Sequence, residues 1–331
     1  MIENTSPSPP TDIPHQEIKS IPFDLFSADN THLVNHITDF PLVFAVTLNW
    51  NHADDTLACL ESLTQLEGIR CTILLVDNAS TDDSVLKVRQ RFPQVEILVN
   101  PSNLGFGKGF NQGMRFAYQA GADYVFIVNN DTYLAPDAIS ILLQHAVDDV
   151  GILAPVIYYA SQPTVIWAIG GKVNPLNLEV AEKGRGTVNN GNWPPDLERD
   201  FVTGCAMLLP RHTLEKVGFF DEAFQMYYED ADFCRRVRQA GLRILVVPKA
   251  RLWHKVSASS GGSGSPNERY FMARSSVRFF RKHGRGVRMW VIVPYRLGSA
   301  IKTTLRLLWA GRVESARAYW RGLRDGLRDK L

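Results

Sequence analysis

Two groups of carboxylates in this sequence have the surroundings that chemistry requires. Asp131 ends the apolar run VFIVNND, and the adjacent residues Glu229 and Asp230 lie in YYEDADFCRR. A carboxylate at a strand end can bind a hard divalent cation, and a positioned carboxylate can take a proton from an attacking hydroxyl. Each also has a plainer explanation: a strand-end turn for Asp131, and an acidic helix start, which the helix dipole favours, for the pair.

The runs that position these residues alternate between strands and helices. Buried strands are predicted in LVFAVTLNW, CTILLVD, VEILVN, ADYVFIVNN, TGCAMLLP and LRILVVP. Helices are predicted around 55–66, over DDSVLKVRQRF, and over about 112–120 after the glycine-rich loop NLGFGKGFNQG; RLWHKVSASSGGSGSPN is expected to be a flexible loop. Such alternation indicates βαβ units and a parallel sheet.

Three polar clusters follow strands of this predicted sheet: Asn49–Asn51, Asp77–Ser80 and Asn129–Asp131. Ligands of open α/β sheets collect at the carboxyl ends of the strands. A nucleotide site at this edge is therefore the leading hypothesis.

Composition divides the chain into three parts. The 331 residues are 45% hydrophobic and 21% charged, as in an ordinary globular protein. Residues 1–20 are rich in Pro and Ser and are expected to be disordered. We predict an N-terminal extension over 1–40, a catalytic domain over 41–265 and a basic, amphipathic helical extension over 266–331.

The net charge of +2 hides a strong asymmetry. Residues 269–331 contain 16 Lys and Arg against three acidic residues, a net charge of +13, so the other 268 residues carry −11. A basic tail on an acidic body favours contact with a polyanion or an anionic surface.

Cysteine usage and the N-terminus both favour a cytoplasmic location. Cys59, Cys71, Cys205 and Cys234 show neither metal-site spacing nor a disulfide framework, so reduced core cysteines are expected. The start MIENTSPSPP lacks the pattern of a secretion signal, and no uncharged apolar stretch is long enough to span a bilayer.

Seven motifs together resemble glycosyltransferase family 2, most closely its bacterial rhamnosyltransferase branch, over roughly residues 42–285. In order they are VTLNWN, VDNASTDDS, NLGFGKGFNQG, VNNDT, TGCAMLLPR, GFFDEAFQMYYEDADFCRR and LWHKVSASSGG. The resemblance implies the GT-A fold: a single Rossmann-like α/β/α domain with a mixed central sheet, here followed by a helical extension. It also implies transfer of a sugar from a nucleotide diphosphate to an acceptor hydroxyl, with inversion at the anomeric carbon.

The same resemblance implies a donor pocket. Its predicted residues are Asn49, Asn51, Asp77, Asn78, Gly107, Asn111, Asn129, Asn130, Thr203 and Gly204. Asp77 would accept from N3–H of uracil or thymine, so the donor is a UDP- or dTDP-sugar. Asn111 would contact the ribose or diphosphate, and Gly105, Gly107 and Gly109 would let the backbone approach the nucleotide.

The family's metal motif is Asp-x-Asp or Asn-x-Asp. Here Asn129-Asn130-Asp131 keeps only the last carboxylate. His254, in LWHK, matches the family histidine that completes the site. The expected cofactor is Mn²⁺ or Mg²⁺. Histidine is an unusual ligand for Mg²⁺ but suits Mn²⁺.

In the family, the position of Asp230 is the general base. Glu229 would raise the pKa of Asp230 or orient the acceptor. Thr203 and Gly204 would form the floor beneath the sugar. Asp232 and Arg235 would secure the loop, and Trp167 and Asp221 would shape the acceptor side.

The tail is amphipathic between residues 295 and 310. Trp290, Leu297, Ile301 and Leu308 share one sector of a helix, and Arg288, Arg296, Lys302 and Arg306 lie opposite. Pro294 is expected to break the segment. A basic stripe follows at Arg317, Arg321, Arg324 and Arg328.

Two interpretations of the tail stay open. The tail rests on the inner face of the cell membrane, or its apolar side packs on the catalytic domain. Acceptors in this family are often lipid-linked saccharides, which favours the membrane, with a glycan or lipid-linked saccharide as acceptor.

Three other functions compete with the transferase. A sugar nucleotidyltransferase would carry a Gly-rich basic loop after the first strand, which LNWNHADD lacks. A nucleic-acid-binding protein would use the basic tail, but no recognition module appears. A catalytically dead sugar-binding relative would not keep Asp131, Asp230 and His254. The sequence does not choose among rhamnose, galactose, glucose and a furanose as the donor sugar.

Overall fold

The computed structural model describes residues 40–182, 184–256 and 264–329. The predicted disorder of residues 1–20 and the Gly/Ser segment at 257–263 lie outside the described residues. From Phe40 onward the chain forms one compact unit.

Strands and helices alternate through the first half of this unit, as the sequence predicts. The elements are β1 (Leu42–Asn49), α1 (Ala53–Thr64), β2 (Arg70–Asp77), α2 (Ser84–Arg91), β3 (Glu96–Val99), α3 (Phe106–Gln119), β4 (Tyr124–Asn129), β5 (Thr132–Leu134) and α4 (Ala138–Leu143).

Seven strands and two helices follow in the next part of the described chain. They are β6 (Val150–Tyr159), β7 (Gln162–Ala168), β8 (Gly171–Val173), β9 (Val180–Glu182), β10 (Leu197–Arg199), β11 (Ala206–Pro210), α5 (Arg211–Val217), α6 (Glu229–Gln239) and β12 (Arg243–His254).

The central sheet is mixed, which confirms the predicted fold class. Its order is β10-β12-β6-β11-β4-β1-β2-β3, with β5 and β7 pairing β12 and β6. Strands β3, β2, β1 and β4 are parallel, whereas β11 runs antiparallel to both β4 and β6. Core side chains of α1 and α4 (Leu60, Ile139) cover one face, and those of α3 and α6 (Phe110, Phe233) cover the other.

Helix α3 begins at Phe106, well before the start near residue 112 predicted from the sequence. The reason is packing. At Gly109 a Cβ atom would lie 2.8 Å from Leu48 Cδ1, and at Gly113 it would collide with Val46. The glycines therefore let α3 lie flat on β1, and this contact outweighs their low helix propensity.

Strand β12 also differs from the prediction, because it continues through RLWH, which was expected to be loop. A register shift between Val247 and Arg251 is followed by pairing of Arg251–His254 with β6. Leu252–His254 pair with β5 on the other side. Hydrogen bonds on both edges hold this segment in the sheet and fix His254 at its end.

Three helices and a short 3-10 turn complete the chain. They are α7 (Pro266–His283), the turn Gly286–Arg288, α8 (Met289–Trp309) and α9 (Val313–Arg328). The Ser265 hydroxyl caps α7 by accepting from the Glu268 N–H (3.2 Å). None of the helices in the described ranges is long and apolar enough to cross a membrane.

The predicted break at Pro294 is wrong, because Pro294 lies inside the continuous helix α8. It occupies the second turn, where its missing N–H removes only the bond to the Trp290 carbonyl. Trp290 therefore belongs to the same helix as Leu297 and Ile301.

Candidate active site

The ends of β1, β2 and β4 meet at a cavity of about 150 Å³, here called the strand-end pocket. Parallel pairing of β1 with both neighbours brings the three predicted polar clusters to one edge. The lining includes five predicted residues and others that the sequence did not single out: Asn49, Asn78, Asn129, Asn130 and Asp131, with Trp50, His52, Asn103, Phe106 and Met226.

Asp77 and Asn49 are buried at the floor of this edge. Asn49 Nδ2 donates to Asp77 Oδ1 (2.8 Å), and Asp77 also accepts from the Ser80 N–H (2.8 Å) and hydroxyl (2.6 Å). Asp77 is 1% exposed, and the neighbouring Asn78 lines the pocket instead. Contact between Asp77 and the nucleotide base of the donor stays a prediction.

Side chains from the following loops hold the floor in place. Asn51, at a φ of +55°, accepts from the Thr81 N–H (2.7 Å). Asn130 Nδ2 donates to Thr56 Oγ1 (2.9 Å), which itself donates to Asn49 Oδ1 (2.8 Å). Sequence reasoning missed Thr56, because nothing local marks a helical threonine that reaches back to a strand end.

The structure does not bring Asn111 to the strand-end pocket. Its amide nitrogen donates to the Phe220 carbonyl (2.9 Å), and its oxygen accepts from the Phe220 N–H (3.0 Å). Asn111 thus fixes the loop before α6 onto α3. Gly107, one turn earlier, lies beside Glu229: a Cβ there would be 3.6 Å from that of Glu229.

Asp131 and His254, the predicted metal ligands, are in direct contact. His254 Nε2 lies 3.0 Å from Asp131 Oδ1, and both residues are less than a tenth exposed. Trp167 packs edge-on against the imidazole, with ring centroids 4.4 Å apart, and within the described ranges His254 Nδ1 has no hydrogen-bond partner.

Two features of this contact fit a divalent cation. Asp131 Oδ1 and His254 Nε2 lie at hydrogen-bond distance from each other, and a carboxylate oxygen and an imidazole nitrogen this close would be able to bind the same ion. Asn129 Oδ1, in the same pocket as Asp131, is buried and has no partner among the described residues. No group of three or more His, Cys, Asp or Glu within the described ranges is arranged for a metal, so further ligands would be a diphosphate and water.

The acidic pair begins α6 on a strained approach. Tyr227 and Tyr228 both adopt positive φ (+65° and +68°), which residues other than glycine rarely do. Asp230 Oδ2 accepts from the Gly204 N–H (3.0 Å) and Oδ1 from the Ala231 N–H (2.8 Å). Glu229 is 5% exposed, and its Oε2 has no hydrogen-bond partner in the part of the chain that the structure describes.

These surroundings affect the pKa values of Glu229 and Asp230 differently. Burial, and then the charge of Asp230, raise the pKa of Glu229 well above its usual value. Burial also raises the pKa of Asp230, but two backbone N–H groups oppose the rise. The pKa of Glu229 is thus raised further than that of Asp230, which makes Asp230 the acid of the pair that ionises more readily.

The pair opens on a second cavity, of about 390 Å³, here called the acceptor cavity. Its lining includes Leu178, Val180, Glu182, Phe201, Tyr228, Met272 and Phe280. A Cβ at Gly204 would lie 3.3 Å from Phe106 and 3.4 Å from Asp230 Cβ. Phe106 lines the strand-end pocket, so Gly204 stands where the two cavities meet.

The other acid of this turn, Asp232, faces away from both cavities. Its side chain is fully buried and contacts Arg236 Nε (2.8 Å), Lys282 Nζ (2.6 Å) and His283 Nε2 (2.7 Å). These partners outweigh burial and lower the pKa of Asp232. Lys282 also binds Asp221 (2.7 Å), so both acids tie the loop and α6 to α7.

Comparisons with known proteins agree with this fold. The model of the family "Glycosyl transferase family 2" matches residues 45–216. A Mycobacterium tuberculosis protein named N-acetylglucosaminyl-diphospho-decaprenol L-rhamnosyltransferase is 30% identical over 68% of this chain and 79% of its own. A Shigella flexneri dTDP-rhamnosyl transferase is 21% identical, over 86% of this chain and 95% of its own.

Two solved structures share the fold. A mannosyltransferase from Pyrobaculum calidifontis, in complex with GDP-Man and Mn²⁺, aligns with a TM-score of 0.54 and 16% identity, over 89% of this chain and 77% of that one. GalNAc-T7 with UDP, GalNAc and Mn²⁺ has a TM-score of 0.54 and 13% identity, over 73% of this chain and half of that one.

The chain belongs to glycosyltransferase family 2. It is a sugar-transferring enzyme with a GT-A fold, and its similarity to rhamnosyltransferases confirms the resemblance seen in its motifs.

Proposed function

We propose that this enzyme transfers L-rhamnose from a dTDP-linked donor to a sugar hydroxyl of a lipid-diphosphate-linked acceptor, in the synthesis of a cell-surface polysaccharide. The donor and acceptor are those in the names of its relatives, an N-acetylglucosaminyl-diphospho-decaprenol L-rhamnosyltransferase and a dTDP-rhamnosyl transferase. The observation that carries the reaction is the buried pair Glu229 and Asp230, set where a strand-end pocket meets a second cavity.

In this proposal Asp230 is the general base. It accepts the proton of the acceptor hydroxyl while that oxygen forms a bond to the anomeric carbon. The bond from that carbon to the diphosphate breaks on the opposite face, so configuration inverts. Glu229, still protonated, donates a hydrogen bond to the acceptor, because pairs of acids with separated pKa values take separate roles.

Asp131 and His254 would hold a divalent cation, Mn²⁺ or Mg²⁺, beside the donor diphosphate. Such an ion supplies positive charge to the departing diphosphate. Within the protein, β12 and β5 keep His254 against Asp131, and Trp167 restricts its ring.

The reaction is tested by incubating the full chain with Mn²⁺ and a diphospholipid-linked N-acetylglucosamine acceptor. Donors are dTDP-L-rhamnose, UDP-glucose, UDP-galactose and GDP-mannose, each assayed separately. Product is expected only with dTDP-L-rhamnose and is absent with Asp230→Asn, whereas the exposed Asp148→Asn behaves as wild type. Transfer from a UDP-sugar alone would replace the donor assignment, and transfer from none would overturn the function.

The metal is tested by chelation. Excess EDTA should abolish transfer, and Mn²⁺ or Mg²⁺ should restore it. Calorimetric titration with dTDP should show tighter binding in the presence of Mn²⁺, and Asp131→Ala should remove that difference. Full activity in EDTA would contradict a role for the ion.

We further propose that α8 rests on an anionic membrane surface. Its core side is formed by Ile292, Ala300 and Leu307. The opposite side exposes a row of large apolar residues, which includes Trp290 (85% exposed), Leu297, Ile301, Leu305, Leu308 and Trp309 (93% exposed). Cationic helices that present Trp and Leu bind at the lipid interface, and the +13 charge of residues 269–331 complements anionic lipid.

Vesicle co-sedimentation tests this surface. The full chain should sediment with phosphatidylglycerol vesicles, less so with phosphatidylcholine, and less at high salt, because exposed charges are screened over about 8–10 Å. Trp290→Ser combined with Leu305→Ser should weaken binding, whereas Leu327→Ser, equally exposed on α9 (65% against 61% for Leu305), should not. Equal recovery of all forms would contradict the assignment.

A further inference from the structure

A cleft of about 320 Å³ continues from the acceptor cavity toward the start of α8. The two share one apolar wall, formed by Leu178, Val180, Phe201, Ala231 and Phe279. A molecule whose reactive group lies at Asp230 can therefore extend into this second cleft, called here the arginine cleft.

Three arginines line the arginine cleft: Arg235, Arg238 and Arg288. Arg238 is already paired, because its guanidinium donates to Glu198 (2.9 Å). Arg235 and Arg288 take part in no ion pair with the described residues, and Arg235 Nε is buried without a hydrogen-bond partner.

The one carboxylate in the cleft does not neutralise these two arginines. Asp200 accepts from the Val173 N–H (3.0 Å) and lies within 3.7 Å of Lys172 and Arg238. Burial and the nearby charge of Arg288 lower the pKa of Arg235. Arg235 and Arg288 line one cleft and have no paired acid among the described residues, so an anion bound to both would stabilise them.

We propose that Arg235 and Arg288 bind the diphosphate of a lipid-linked acceptor, whose sugar lies at Glu229 and Asp230. This inference rests on the proposed function. Planar guanidinium groups match phosphate oxygens in bidentate geometry, which makes arginine the suitable residue for this ligand.

The position of each arginine fits the order sugar, diphosphate, lipid. Arg235 follows Asp230 by five residues on α6, about 7.5 Å along the helix axis, which is of the order of one sugar unit. Arg288 ends the turn that leads into α8, and its neighbours Val287 (82%) and Trp290 (85%) are highly exposed. A lipid chain that leaves the arginine cleft would therefore meet the proposed membrane face.

Binding of a short lipid diphosphate tests the site without catalysis. Geranyl diphosphate, geraniol and inorganic pyrophosphate are titrated into the full chain by calorimetry, in EDTA. The double variant Arg235→Gln, Arg288→Gln should bind geranyl diphosphate at least about tenfold more weakly, since each arginine contributes a charge-assisted hydrogen bond. Arg285→Gln is the matched control: it removes an exposed charge of the same turn that does not line the arginine cleft.

The outcomes separate this inference from the reaction. Unchanged geranyl diphosphate affinity in the double variant overturns the site, and so does pyrophosphate that binds as tightly as geranyl diphosphate, which would show a free-anion site. Arg288→Gln alone, at an exposed position, gives the same test should the double variant fold poorly. If binding is lost in the variant while the wild type transfers no sugar, the site stands and the proposed function fails.

Discussion

Asp230 and Asp232 lie two residues apart on α6 and have opposite surroundings. Asp230 faces a cavity, accepts hydrogen bonds from two backbone N–H groups, and has a raised pKa. Asp232 contacts two cationic side chains and the imidazole of His283, and has a lowered pKa. Residues two apart on a helix point about 200° apart, so in the proposed mechanism one turn serves the reaction on one side and holds the fold on the other.

The difference teaches that acidity alone does not identify a catalytic group. Asp232 is the more deeply buried of the two. Its carboxylate nevertheless contacts Arg236, Lys282 and His283, and these contacts favour its ionised form. Asp230 carries a charge that burial makes unfavourable, and a group in that state is suited to accept a proton near neutral pH.

The largest expected effect is on turnover. Asp230→Asn keeps the size of the side chain but removes the base, so we expect the rate to fall about a hundred- to ten-thousandfold. Binding of dTDP and thermal stability should remain close to wild type. Initial rates, calorimetry and a melting curve check the three statements; near-normal turnover would remove Asp230 from the mechanism.

Asp232→Asn should lower the stability of the fold more than it lowers turnover. The change leaves Arg236 and Lys282 facing an uncharged amide, and breaking a buried ion pair on one side costs about 3–5 kcal/mol. Urea unfolding should show a reduced free energy of unfolding for this variant. Asp230→Asn is the control from the same turn; an equal loss in both variants would contradict the division between the two sides of α6.

The same ion pairs predict acid sensitivity. Because the pKa of Asp232 is lowered in the folded protein, its contribution to stability is present above the unfolded value, about 3.9, and is lost as the pH falls below it. The free energy of unfolding should decrease between about pH 5 and pH 3. Urea titrations across this range should give a shallower dependence for Asp232→Asn; identical slopes would mean that other groups dominate.

The smallest effect is expected at Glu229. In the proposed mechanism Glu229 keeps its proton, so glutamine resembles its neutral form, and Glu229→Gln should retain turnover within a few-fold. A raised pKa also means that wild type loses stability as the pH rises above about 4.3, and this loss should be smaller in the variant, in which only Asp230 of the pair still ionises. Initial rates and urea unfolding, each measured at pH 4 and pH 8, test the statements on turnover and on stability. A loss of turnover as large as that of Asp230→Asn would make Glu229 the base.

The strand-end pocket is the part of the site that the sequence predicted best. Apolar runs that each end in polar residues, as at Asn49, Asp77 and Asn129, require only parallel pairing to meet at one edge. The contact between Asp131 and His254 came from motif resemblance, since 123 residues separate the two.

Other predictions failed where packing replaced a local preference. Helix α3 extends through glycines because β1 lies against it, and β12 continues to His254 because strands border it on both sides. Asn111 is held by the backbone of Phe220, 109 residues away, which no spacing along the chain indicates.

The sequence by itself determined the α/β order, the edge where the polar clusters meet, and the amphipathic pattern of the tail, because each depends on local periodicity. Only the tertiary structure decided which side of each tail helix is covered. Helix α9 turns its small residues toward α7, with a Cβ at Gly326 placed 2.7 Å from the Arg274 carbonyl, and exposes its arginines. Helix α8 leaves its tryptophans outside. Periodicity gives a helix two faces, but the surface that covers one of them comes from distant parts of the chain.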